Sequence, residues 1–179
     1  MRTRILLAVN LAVPGMAMLM ALTCLDLRMA YATTPEERES LRGLQGVEVI
    51  IEDIVPDAKK DGLSEEAIRT TVELILRSNR IPVLTTAERE RTPSGAFLAV
   101  EVSLIKNKGA ALYAGCITVS LQQLVQLVHL SGEKRMVVRT WETSSTVSVG
   151  PNYFREIINS GIEPQVKEFA NDFLAVNHR

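Results

Sequence analysis

Hydrophobic positions change period several times along the chain. Residues 5–25 form an almost unbroken apolar run. From Val47 to Ile54, Val47, Val49 and Ile51 alternate with Glu48, Ile50 and Glu52, the period of a strand with one apolar and one mixed face. The period then lengthens. Ile68, Val72, Ile75 and Leu76 make a helical stripe, with Ser64 at its N-cap and Glu65 and Glu66 in its first turn. Ile81 to Leu84 is a short apolar stretch that Pro82 confines to a sheet edge or a strand's beginning. Strand, helix and strand within 38 residues predict a parallel βαβ unit with a right-handed crossover.

Alternation returns between Ala96 and Lys106, where Leu98, Val100, Val102 and Leu104 oppose Ala99, Glu101 and Ser103. Asn107 to Gly109 turns the chain. Tyr113, Ile117, Val119 and Leu121 continue the apolar face on the next strand, opposite Cys116, Thr118, Ser120 and Gln122, and the alternation slips near Gln122 to Leu124, the mark of a bulge. After Ser131 to Glu133, a third strand from Met136 to Val149 sets Val137, Trp141 and Val147 against Thr140, Glu142, Ser144 and Thr146. Phe154, Ile158, Ile162, Val166, Phe169 and Phe173 then hold one stripe in phase through Gly161 and Pro164, predicting a kinked helix or two nearly coaxial ones up to Val176.

Between these elements, Pro56 to Gly62 reads as a polar loop. Thr85 to Gly95 reads as a solvated loop or short exposed helical turn, and its run Glu88 to Arg91 is assigned no function. Thr34 before Pro35, Glu36 and Glu37 predicts an N-cap and about two helical turns, so 33–45 is expected to be a linker or short helix outside the core. Residues 46–179 make one domain. The predicted fold is α+β, a two-layer sandwich of order β-α-β-β-β-β-α. A five-stranded mixed sheet carries two helices on one face and leaves the other wet or open to a partner.

The apolar run begins after Arg2 and Arg4 and ends near Ala30-Tyr31-Ala32, a small-x-small cleavage signature, so residues 1–32 are expected to be a signal peptide cut after Ala32. Two readings compete. An uncleaved anchor is one, since the 21 residues from Ile5 to Leu25 would cross a hydrocarbon core of roughly 30 Å. Lipidation at Cys24 is the other, although Thr23 stands where a lipobox wants Gly or Ala. Membrane contact is expected only under these two alternatives; otherwise the mature chain is periplasmic or secreted.

Composition narrows the class. Apolar residues make up 46% of the chain and charged residues 23%, which excludes a disordered or multi-span membrane protein. The chain has 20 basic and 21 acidic residues; with Arg2, Arg4, Arg28 and Asp26 removed, residues 33–179 carry 17 and 20, a net charge of −3. A nucleic-acid partner is not expected without a basic excess.

Three stretches carry a resemblance: Ser40-Leu-Arg-Gly-Leu-Gln-Gly-Val-Glu-Val-Ile-Ile-Glu-Asp-Ile54, Gly62-Leu-Ser-Glu-Glu66 through Arg80-Ile-Pro-Val-Leu84, and Glu168-Phe-Ala-Asn-Asp-Phe-Leu-Ala-Val-Asn177. Together they resemble a family of small exported bacterial proteins with no assigned activity. The element order is also similar to small periplasmic α/β domains, namely the amino-terminal domain of the Tol-system propeller protein and the lipoprotein activators of peptidoglycan synthases. The resemblance implies an interaction module of the cell envelope and transfers no site residue.

Candidate chemistry is sparse. Cleavage after Ala32 removes Cys24 and leaves Cys116 as the one mature cysteine, so no intramolecular disulfide is expected, and with only His129 and His178 no Cys/His zinc cluster can form. Cys116 and His129 lie thirteen residues apart on one expected strand, about 43 Å if it stays straight, too far for a thiol-imidazole pair. Glu52 and Asp53 point to opposite faces of a strand, while Glu36, Glu37, Glu39, Glu65 and Glu66 read as helix-start acids. Trp141 and Tyr113 read as core. No phosphate loop, nucleophile elbow or metallohydrolase motif occurs. No catalytic residue, cofactor or metal ligand is therefore assigned. Three function classes stand: a non-enzymatic module binding another envelope protein, a carrier of a small apolar ligand between sheet and helices, and an unrecognised enzyme. For the first, the candidate partner face is Thr118, Ser120, Thr140 and Glu142, together with any unpaired sheet edge.

Overall fold

Strand alternation and two apolar helix stripes assemble an α+β fold around a four-stranded mixed sheet. The computed structural model describes residues 33–107, 109, 112–127, 134–150 and 153–177; the expected export segment, His129 and His178 lie outside the described residues. In chain order the elements are α1 (Pro35–Glu39), β1 (Glu48–Ile51), α2 (Pro56–Lys60), α3 (Glu65–Ser78), α4 (Thr86–Arg89), β2 (Phe97–Asn107), β3 (Leu112–Gln126), β4 (Arg135–Val149) and α5 (Phe154–Asn177). The strands lie in the order β1-β2-β3-β4. β1 runs parallel to β2, with Val49 opposite Leu98, and the other two pairings are antiparallel, with Val100 opposite Val119 and Ile117 opposite Ser145.

Residues one apart point to opposite faces, so Val49, Ile51, Leu98, Val100, Val102, Ile117, Val119, Leu121 and Trp141 share the face covered by helices. There they meet Ile68, Val72 and Leu76 of α3 and Phe154, Ile158, Ile162, Val166, Phe169 and Phe173 of α5, all buried in one cluster. α5 passes through Pro164 as a single helix, one of the two forms its stripe allows. Tyr113 and Trp141 are fully buried; Tyr113 stacks on Phe154 and Trp141 meets Phe169 edge-on.

Several expectations are corrected. The sheet has four strands because 81–84 contributes a single bridge, Val47 to Val83. Val47 donates to Pro82 O at 3.1 Å and accepts from Leu84 N at 2.9 Å. The ladder stops there because Pro82 has no N–H, because Arg69 of α3 donates to Val49 O, and because Thr85 begins the capping box of α4. β1 is shorter than the alternation suggests: it ends at Ile51, so the opposite-face assignment of Glu52 and Asp53 rests on strand that is not there.

The expected polar loop at 56–62 contains α2, started by Pro56 at N1 and pinned by the buried Ala58. Residues 33–45 contain α1 under a Thr34/Glu37 capping box, and Leu41 just beyond it is fully buried, so the segment contributes to the core. The slip near Gln122 is present, but the extra residue is on β4: Leu121 pairs with Trp141 and Gln122 with Arg139, which leaves Thr140 as the bulge. Beyond it the parity of β4 reverses. Val137 therefore lies on the side opposite Trp141 and is half exposed.

Candidate functional site

The sheet face away from the helices is built from rows of paired residues. One row is Ile50, Ala99, Ser120 and Glu142, the next Glu101, Thr118 and Ser144, and the next Ser103, Cys116 and Thr146. Small and hydroxylated side chains dominate, so the face is shallow. Of the expected partner residues, Thr118, Ser120 and Glu142 lie together here, although Ser120 is only 3% exposed between its taller neighbours. Glu142 pairs with Arg139 on the same side.

Thr140 is not part of this surface. The bulge turns it toward α1, where its hydroxyl accepts from Gln123 at 2.7 Å and its carbonyl accepts from Ser40 Oγ at 3.2 Å. One end of the face is covered: Arg89 of α4 forms an ion pair with Glu48 at 2.5 Å and lies 5.5 Å from the Phe97 ring centroid, and Thr86 donates to Glu48. The 85–95 stretch thus packs on the sheet through Arg89, although most of it is exposed.

β4 borders this face and forms the outer edge of the sheet for 15 residues. Among the described residues no strand pairs with its outer side. Its inner face is held from below. Trp141 Nε1 donates to Asp172 at 3.0 Å, Thr143 donates to Glu168 at 3.3 Å, and Gln165 donates to Ser145 Oγ at 2.9 Å. Asp172 is 6% exposed and also accepts from Arg38 Nε at 2.8 Å and from Thr33 Oγ1 at 2.6 Å. Burial pushes the Glu168 carboxyl up; the hydrogen bond from Thr143 opposes that shift and the charge of Asp172 adds to it.

A second polar cluster sits at the far end of β2 and β3. Lys106 donates to Asp61 at 2.7 Å and Tyr113 Oη donates to the same oxygen at 2.6 Å. The Lys106 hydrogen bond, then that from Tyr113, hold the Asp61 carboxyl below the usual carboxylate range, and the Asp61 contact raises Lys106. Burial, then the bond to Asp61, pushes the Tyr113 phenol up. Val55, Pro56, Asp57, Leu104, Lys106 and Tyr113 line an open cleft of about 260 Å³ here. Both hydrogen bonds reach from β2 and β3 to the C-cap residue of α2, so the trio ties α2 to the sheet.

Residue pattern alone missed both clusters. Asp172 did leave a signal: it lies three positions after Phe169 and one before Phe173, inside an apolar stripe, where a carboxylate requires donors. Lys106 and Asp61 left none, because 45 residues separate them. Cys116 is half-buried on the open face, opposite Ser103 and Thr146. Among the described residues no His/Cys/Asp/Glu group could hold a metal ion, and no helix is long and apolar enough to cross a membrane. No family model matches the chain, and neither a curated protein nor a solved structure matches it.

Proposed function

We propose that the chain is an exported, non-enzymatic interaction module of the bacterial cell envelope, periplasmic or secreted, whose β4 edge takes an extended segment of another envelope protein as an added strand. The observation that carries this reading is the unequal treatment of the two sheet edges. Beside β1, Val83 bridges Val47 and Arg69 occupies Val49 O. Beside β4, 15 residues without Pro or Lys lie at the edge, and the nine from Trp141 onward follow the bulge without further irregularity. Glu142, Ser144 and Thr146 lie on the edge strand itself and would pair with alternate side chains of an incoming strand, with Thr118 and Ser120 one strand further in.

The carrier reading has less in its favour. Trp141, Tyr113, Phe154 and Phe169 fill the space between sheet and helices, and the cleft at Tyr113 opens at the sheet's end. Isolation of partners from the native envelope, followed by binding to the purified partner, tests the proposal. Ser144→Lys and Thr146→Lys, both at exposed edge positions, are expected to weaken binding at least tenfold while circular dichroism and Tm stay unchanged. Binding that survives both, and is lost on altering the outer surfaces of α3 and α5 or the 85–95 stretch, sinks it.

A further inference from the structure

Asp172 is the most heavily engaged carboxylate in the described chain, and its donors come from three places. Trp141 belongs to β4, Arg38 to α1, and Thr33 is the first described residue. Thr33 is also the residue that follows Ala32, the expected cleavage point. Its α-nitrogen lies three covalent bonds from the hydroxyl that donates to Asp172 Oδ2 at 2.6 Å, so the two atoms are roughly 3 to 4 Å apart. The hydroxyl contact therefore keeps the Thr33 nitrogen within roughly 6 Å of the Asp172 carboxylate.

We infer that Asp172, with Glu168 one helical turn before it, is the seat of the N-terminus created by export: cleavage after Ala32 sets a new Thr33 α-ammonium against these carboxylates and so couples processing to closure of the fold. The inference rests on the export reading. An envelope endopeptidase of the signal-peptidase class supplies the step. The Ala32–Thr33 amide C–N bond breaks, the oxygen of one water completes the Ala32 carboxylate, and both protons of that water end on the Thr33 nitrogen.

Local charge favours the product. Glu168 and Asp172 of α5 face this corner, against Arg38 as the one described cation contacting Asp172; Trp141 and Thr143 of β4 are neutral donors, and Glu37 of α1 is engaged by Thr34 N. Arg38 is about half exposed, so its charge is shared with solvent, and the neighbouring carboxylates Glu168 and Asp172 meet this one described cation until the ammonium arrives. The burial that raises Glu168 has the same consequence, since a nearby cation relieves the penalty on its ionised form. α1 and the buried Leu41 follow directly in the chain, so fixing Thr33 also fixes the segment that closes over the β4 side.

The sign of the pH dependence follows. An α-ammonium beside carboxylates keeps its proton to higher pH when folded than when unfolded. Its stabilisation is therefore complete below the unfolded value of about 7.7–8.0 and is lost as pH rises through the raised one.

The test uses the processed protein recovered after export. Intact mass is expected to begin at Thr33. NMR titration of the Thr33 signals is expected to show the α-amine holding its proton at least tenfold more tightly than an ordinary α-amine, and Glu168→Gln should return it part of the way. A product that begins elsewhere overturns the cut after Ala32 on which the inference rests. A product that begins at Thr33 and titrates in the ordinary α-amine range overturns the seat itself, whatever becomes of the Glu168 variant.

Discussion

The two outer strands of the sheet solve the same problem differently. β1 is four residues long, parallel to its neighbour and shielded: Val83 bridges Val47, and a guanidinium from α3 takes Val49 O. β4 is fifteen residues long, antiparallel, and interrupted only by the bulge at Thr140. An unpaired edge is a template for another chain, and natural edges are usually shortened, charged or covered. Here one edge receives that protection and the other carries mainly Ser, Thr and Glu from Trp141 onward. In the proposed role, shielding on one side only leaves a single route for strand addition.

The comparison can be broken from the β4 side first. Trp141 is fully buried and links the strand to Phe169 and Asp172. Trp141→Ala is expected to cost about 3–5 kcal/mol by chemical denaturation. Trp141→Phe, which keeps an aromatic ring but removes the donor, should cost about 1.5–3 kcal/mol. A loss below 1 kcal/mol for both would mean that β4 is not anchored through α5.

On the β1 side the shield depends on a close backbone approach. Gly46 has φ +154°, and a Cβ there would stand 2.6 Å from Pro82 O. Gly46→Ala should cost roughly 1–3 kcal/mol and push the 81–84 segment off the edge. Arg69→Ala, which uncovers Val49 O, should cost about 1 kcal/mol. Both variants should self-associate more than the parent in sedimentation velocity; unchanged association would show that β1 is too short to need its cover.

Smaller effects sharpen the contrast. Asp61 lies next to α2 and is bonded to both Lys106 and Tyr113. Its lowered pKa means that its contribution is present above the unfolded value and lost as pH falls through the folded one. In Asp61→Asn that part of the acid-side decline in Tm should disappear, while in the parent it should persist. Cys116→Ser exchanges a half-buried thiol for a hydroxyl beside Ser103 and Thr146, and Tm should correspond to a change within about 0.5 kcal/mol.

What could be read from residue order follows the range of the forces involved. Alternation exposed β2, β3 and β4, and the i, i+4 stripe exposed α3 and α5, because both periods are local. The bulge announces itself as a phase slip, but pairing decides which strand takes the extra residue, so residue order alone groups Thr140 with Thr118, Ser120 and Glu142 although the bulge turns it toward α1. Ile81 to Leu84 has a strand's composition; a proline without a donor and an arginine from another element limit it to one bridge. Leu41 sits between polar residues, and its burial depends on α5 arriving beside it, with Asn177 donating to Leu41 O at 2.9 Å.

The parallel pairing of β1 with β2 also dictates an order of assembly. β2, β3 and β4 follow one another through short connections and zip as a meander, whereas 45 residues separate the end of β1 from the start of β2. Loop closure over that span must precede any reward from the pairing, so β1 is expected to dock after the meander has formed. Conservative core truncations such as Val119→Ala are then expected to slow folding, whereas Val49→Ala mainly speeds unfolding. In native-state hydrogen exchange, amides of β1 should open at lower free energy than those in the centre of β3.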